Sequence, residues 1–144
     1  AATGLAEKSV LVRGLPAATI STDGHSDRGA PGGSLTVIDY ADPALLLQLI
    51  NQAYFVFCRS GYSTVMDLIL LGKKGIYIPT PGQTEQEYLA GHLMEQQWGF
   101  SFSQQASDYR SLLKYAEQYD YRLPPVEKEN LAQKLATLTG LNDF

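Results

Sequence analysis

The polar residues best suited to chemistry stand close together, in RSGYSTVMDLILLGKKGIYIPTPGQTEQEYLAGHL, residues 59–93. This stretch holds two loop-to-helix junctions with an apolar run between them. At the first, Gly61 lets the backbone approach a ligand closely, and Ser60, Ser63 and Thr64 add hydroxyl donors beside the free amides of a helix start. Free amides and the helix dipole at such a start favour an anion such as phosphate. Arg59 supplies a charge for a diphosphate, or a structural ion pair at a strand end. Asp67 falls about one helical turn beyond Ser63, where its carboxylate can accept hydrogen bonds from a vicinal diol such as a ribose. At the second junction Pro81 and Gly82 shape a turn, while Gln83, Glu85 and Gln86 bring the acceptors and amide donors that sugar hydroxyls need.

Helix capping accounts for part of the same pattern. Thr84 with Glu87 has capping-box spacing, and Thr64 with Asp67 imitates it. His92 sits inside a helical pattern and His25 in a loop, and no Ser–His–Asp set, HExxH, CxxC pair or P-loop lysine motif is present. Metal and hydrolase chemistry therefore have little support, and no metal is expected. The residues by themselves lead to a nucleotide- or sugar-binding domain.

The elements that must position these junctions are legible as alternating β-rich apolar runs and longer helical patterns, the signature of βα units and a parallel sheet. Strands are expected at 9–13, 35–39, 54–58, 75–79 and 100–102. YFVFC and GIYIP are apolar on consecutive residues, as befits strands covered by helices on both faces. Helices are expected at 43–53, opened by Asp42 and Pro43, at 63–71, stopped by Gly72, and at 84–97, stopped before Gly99. Two amphipathic helices, 107–119 and 126–139, flank the breaker LPP. The Gly-, Ser-, Ala- and Pro-rich span 15–34 is expected to be a long loop. No repeat or linker divides the chain, so a single domain over 1–144 is expected.

Composition bounds the function. A length of 144 residues and 44% hydrophobic content suffice for one core. The net charge of -4, with basic residues scattered, gives no attraction to a polyphosphate backbone and excludes nucleic acid as a partner. Cys58, the single cysteine, lies in an apolar run and is expected to be a buried, inert thiol, in keeping with a reducing, cytoplasmic location. No stretch reaches the roughly 20 apolar residues of a membrane-spanning helix, so insertion is not expected. The start, AATGLAEKS, has neither signal-peptide regions nor an initiating methionine, which points to a fragment or a processed product.

CRSGYSTVMDL, the strand ending in IPTPG, and TEQEYLAGHL together form a recognisable signature. The block 54–93, and more loosely 35–103, resembles the carboxy-terminal, donor-binding domain of GT-B glycosyltransferases of the family 28 type. The best-known relative makes peptidoglycan, as an N-acetylglucosaminyltransferase. The resemblance implies the C-terminal half of a GT-B fold, a Rossmann-like parallel sheet with helices on both faces. It implies that Ser60, Gly61, Ser63 and Thr64, with Arg59 beside them, hold a donor diphosphate, and that Asp67 stands where the family has a ribose-binding glutamate. Gln83, Glu85, Gln86 and Glu87 occupy the segment that contacts the transferred sugar, and the backbone of Ile38, Asp39 and Tyr40 the strand end that reads the base, typically uracil. Ala90 departs from the family, which has asparagine there.

The implied function is transfer of a hexosyl group from a UDP sugar to an acceptor hydroxyl, with the nucleotide sugar as substrate and no further cofactor. The general base belongs to another domain, so no catalytic residue is assigned and the chain alone is expected to be inactive. The implied partner is an acceptor-binding domain or subunit. In the resembling enzymes a further strand precedes the one placed at 9–13 and lies at the centre of the order 3-2-1-4-5-6. Without it two strands lack a neighbour, which predicts a homodimer or a changed strand order. A non-catalytic sugar-nucleotide module and an epimerase of the same fold stand as alternatives.

Overall fold

The computed structural model describes residues 8–15, 25–30, 33–106 and 108–126. The chain divides into two compact units, residues 1–53 and 54–144.

In the first unit, β1 (Lys8–Val12) runs parallel to β3 (Gly33–Ile38), with Lys8 opposite Ser34 and Val12 opposite Ile38. The ladder continues beyond the strands, Arg13 N–H donating to Ile38 O and Leu15 N–H to Asp39 O, both at 2.9 Å. On the other side of β3 lies β2 (His25–Ala30), antiparallel, so the order is β1-β3-β2. β2 corrects the expectation of a structureless 15–34 loop. Its sequence HSDRGA has no apolar alternation, so nothing but backbone pairing marks it as a strand. Helix α1 (Pro43–Gln52) begins as expected: the Asp42 carboxylate accepts from Leu45 N–H at 2.8 Å and Pro43 takes the first turn, where its missing N–H costs nothing. Although rich in leucine, α1 has no fully buried residue.

The second unit carries β4 (Phe55–Cys58), α2 (Tyr62–Leu70), β5 (Lys74–Tyr77), α3 (Thr84–Glu95), β6 (Phe100–Ser101) and α4 (Tyr109–Gln118). Its strands are all parallel, in the order β4-β5-β6. Alternation splits their side chains between two covered faces. Ile76 and Phe100 pack with Ala116 of α4, backed by Phe55, Phe102 and Tyr121. On the opposite face Tyr77 lies against Gly99, next to Leu93 of α3. Both crossovers, β4-α2-β5 and β5-α3-β6, run in the same direction across the sheet, and a right-handed hand, the rule for parallel strands, sets α2 on the same face as α3; Val65, Leu68 and Ile69 of α2 are buried.

The Rossmann-like α/β class therefore holds, with helices on both faces of a parallel sheet. The described strands form two sheets where one was expected, and β1 and β4 each stand at a sheet end.

Helix stops show where sequence signals act. Gly72 follows α2 in the left-handed region at φ 65°, its N–H donating to Ile69 O at 3.0 Å while Lys73 N–H reaches Leu68 O at 2.8 Å. After α3 that conformation is taken by Gln97, at φ 60°, and not near Gly99. The expected helix 126–139 lies outside the described residues save Val126, which is not helical. No helix among the described residues is long and apolar enough to cross a membrane.

Candidate functional site

At the carboxyl end of β4, Arg59, Ser60 and Gly61 lead into α2. Gly61 is the extended N-cap, at φ -77° and ψ 140°, and no side-chain hydrogen bond caps the helix among the described residues. The first intrahelical bond runs from Val65 N–H to Gly61 O at 3.0 Å, so the amides of Tyr62, Ser63 and Thr64 find no acceptor within the helix. Ser63, Thr64 and Asp67 are all exposed on this first stretch of α2. Thr64 lies inside the helix and does not cap it, so the capping alternative for Thr64 and Asp67 fails. What remains is a set of backbone donors and two hydroxyls at a helix start, a suitable anion site, with a carboxylate one turn on.

Ser60 behaves differently from its neighbours. Its side chain is fully buried and its hydroxyl donates to Gln86 O at 2.8 Å, which ties the first junction to the start of α3. Arg59 makes no ion pair among the described residues. Its guanidinium donates to Ile78 O at 3.0 Å and to Pro79 O at 3.5 Å, neutralising carbonyls at the end of β5 while the side chain stays largely exposed.

The second junction is held by its own side chains. Gly82 turns at φ 81°, and Gln83 N–H donates to Thr80 O at 3.1 Å. Gln86 Oε1 accepts from Thr80 N–H at 3.0 Å and its Nε2 donates to Gln83 Oε1 at 2.5 Å. Glu87 Oε1 accepts from Gly82 N–H at 3.0 Å. Thr84 is the first helical residue and Gln83 the N-cap, so the expected Thr84–Glu87 capping box is shifted: Glu87 reaches past the cap to Gly82. Glu85 is exposed. Gln83 and Gln86, expected to face sugar hydroxyls, thus hold the loop.

Arg59, Ser60, Gln83 and Gln86 are therefore brought together, with Ser63, Thr64 and Asp67 on the adjoining helix. Ile38, Asp39 and Tyr40 belong to the first unit, at the end of β3. There the Asp39 carboxylate pairs with the Arg13 guanidinium at 2.9 Å, and Tyr40 is exposed. The Arg13 pairing was invisible in the sequence because it depends on the parallel register of β1 with β3.

A cavity of about 380 Å³ is lined by Pro79 and Pro81 of the 79–82 loop, by α3 and by the segment leaving β6. Pro79, Pro81 and Phe102 give it apolar walls, and Glu87, Ser103 and Gln105 its main polar groups. Ser103 and Gln105 carried no signal in SFSQQAS; only the pairing of β6 beside β5 brings them to the loop.

Two other groups have structural roles. Burial pushes the Cys58 thiol up to about 12, so it is protonated and unreactive at neutral pH, as its apolar setting implies. His92 stacks on Tyr88 at 6.2 Å and meets Trp98 edge-on at 6.1 Å, a packing role.

None of the curated proteins compared with the chain matches it. The NMR solution structure of ALG13 is similar with a TM-score of 0.50 and 16% identity, over 72% of this chain and 52% of that one. The chain thus spans about half the length of that protein, and the likeness is one of fold. The model of the glycosyltransferase family 28 C-terminal domain matches residues 17–137, which is most of the chain, and the protein belongs to that family.

Proposed function

We propose that this chain binds the donor for a glycosyltransferase, holding a UDP sugar for transfer of its hexosyl group to an acceptor hydroxyl carried by another domain or subunit. The observation that carries this reading is the uncapped start of α2 at the carboxyl end of β4, with the exposed Ser63 and Thr64 hydroxyls and Asp67 one turn beyond. The amides and hydroxyls would bind the diphosphate, Asp67 the ribose, and the backbone at Ile38, Asp39 and Tyr40 the base. In the transfer, the bond between the anomeric carbon and the diphosphate oxygen breaks as the acceptor oxygen bonds to that carbon. The acceptor proton passes to a base outside this chain. The chain's own contribution is electrostatic: donors fixed in advance stabilise the charge growing on the departing diphosphate.

Calorimetric titration with UDP, GDP, ADP and UDP-N-acetylglucosamine tests the proposal. Selective binding of the uridine ligands is expected, weakened about tenfold in Asp67→Ala, the loss of roughly one charge-assisted hydrogen bond. A folded chain that binds none of the four overturns it.

A second reading, a non-catalytic sugar-nucleotide module, is favoured by the commitment of Gln83 and Gln86 to their own loop. Donor binding without sugar transfer, once the acceptor-binding partner is supplied, would distinguish it.

A further inference from the structure

We propose that Arg59 is a positioning residue for the anion site at the start of α2: its guanidinium pins the loop 59–61 to the end of β5 and so fixes the free amides of the helix, without itself bonding the anion. The inference rests on the donor-binding reading above and adds to it a residue that acts through the backbone. Between β4 and β5 the parallel ladder runs as far as Ile78 N–H on Cys58 O, at 2.9 Å. There the chain of β4 leaves the sheet, because Gly61 is already the N-cap of α2. In a regular parallel ladder Ile78 O would accept from Ser60 N–H. Arg59 Nη1 donates to that carbonyl at 3.0 Å and to the next, Pro79 O, at 3.5 Å, so the guanidinium continues the ladder past the point where the two backbones part.

The strength and the direction of these bonds suit them to the task. Hydrogen bonds from an ionised donor are stronger than neutral ones, and two carbonyls share this one. The next side chain ties the same loop elsewhere, the Ser60 hydroxyl reaching Gln86 O in the first turn of α3 at 2.8 Å. Consecutive residues therefore hold the loop at two separate points before any ligand arrives. The amides of Tyr62, Ser63 and Thr64 follow directly, and with no acceptor inside the helix their directions depend on how the loop is held. A loop fixed in advance spares the ligand the cost of ordering it. Because the guanidinium is directed across to β5, with Nη1 engaged by two carbonyls, the anion is left to the amides and hydroxyls of α2.

The test compares the full chain with its Arg59→Met variant, which keeps the stem of the side chain and removes its donors. Affinity for UDP, measured by calorimetry, should fall about fivefold to tenfold, the cost of ordering a loop no longer held in advance. In the ligand-free variant the amides of Ile78 and Val65, the last rung of the ladder and the first of the helix, should exchange their hydrogens faster. Phosphorus NMR of UDP bound at saturation should show both phosphates at their wild-type shifts. Displaced phosphorus resonances in the variant mark a direct contact; they overturn the inference and leave the donor site standing. Unchanged affinity beside a lowered urea midpoint makes Arg59 a residue of structure alone and overturns it equally. Arg59 is exposed, so folding should survive; if the methionine variant does not fold, Arg59→Gln takes its place with the same results expected. A wild-type chain that binds no UDP overturns both this inference and the donor-binding reading.

Discussion

Tyr77 is buried with a hydroxyl that finds no hydrogen-bond partner among the described residues, yet its ring fills the space above two glycines. A Cβ at Gly75 or Gly99 would overlap that ring, so packing and not a turn explains why glycine stands at both positions. Tyr77→Phe keeps the ring and removes the unpaired group, and should raise stability by about 1 kcal/mol in urea unfolding. Gly99→Ala should lower it by roughly 1–3 kcal/mol through overpacking. Cys58 makes a related prediction. Burial raises its folded pKa to about 12 from an ordinary 9.0, so the stability gained from the neutral thiol is fully present below pH 9.0 and is lost as pH rises towards 12. Tyr77 is shifted upward from 10.0, chiefly by burial, and adds to the same alkaline loss. Native protein should resist thiol-specific alkylation at pH 8 and react at once in urea, and a native thiol that reacts as fast as free cysteine would contradict this.

Among the elements, the buried Ser60 hydroxyl is the joint between two βα junctions. Ser60→Ala leaves Gln86 O without that donor and should cost about 1 kcal/mol, read from the urea midpoint, with faster hydrogen exchange at Thr80. The strands, the helices and the family signature were legible because they rest on local patterns: apolar runs, Asp42 with Pro43, Gly72 after α2. What stayed hidden depends on partners far along the chain. β2 exists because β3 pairs with it, and HSDRGA has no pattern of its own. Gln97, not a glycine, ends α3. Gln83 and Gln86 suit a sugar by their type; the sequence did not show that the turn at Gly82 also brings them to each other and to Thr80. Residue type announced hydrogen bonding, and geometry chose the partner.

At the scale of the molecule, each three-stranded sheet ends in a strand with exposed apolar side chains: Val10 at 47% and Leu11 at 49% on β1, Phe57 at 48% on β4. Ile78 N–H donates to Cys58 O at 2.9 Å, so along β4 the alternate residue Phe57 turns its own N–H and C=O away from β5, to the side where no described strand of its sheet pairs with β4. Open edges recruit strands, and natural proteins blunt them with charge. Light scattering should show self-association that grows with concentration and falls in Phe57→Lys, whereas a monomer at every concentration would contradict it. The tie between Ser60 and Gln86 has a consequence for motion. Gln86 is bonded through its carbonyl to the loop that starts α2 and through its side chain to Thr80, so opening either loop strains the other. A diphosphate that quiets the start of α2 would therefore also quiet residues 80–86, and the protein would carry news of an occupied site across the width of a strand without changing shape.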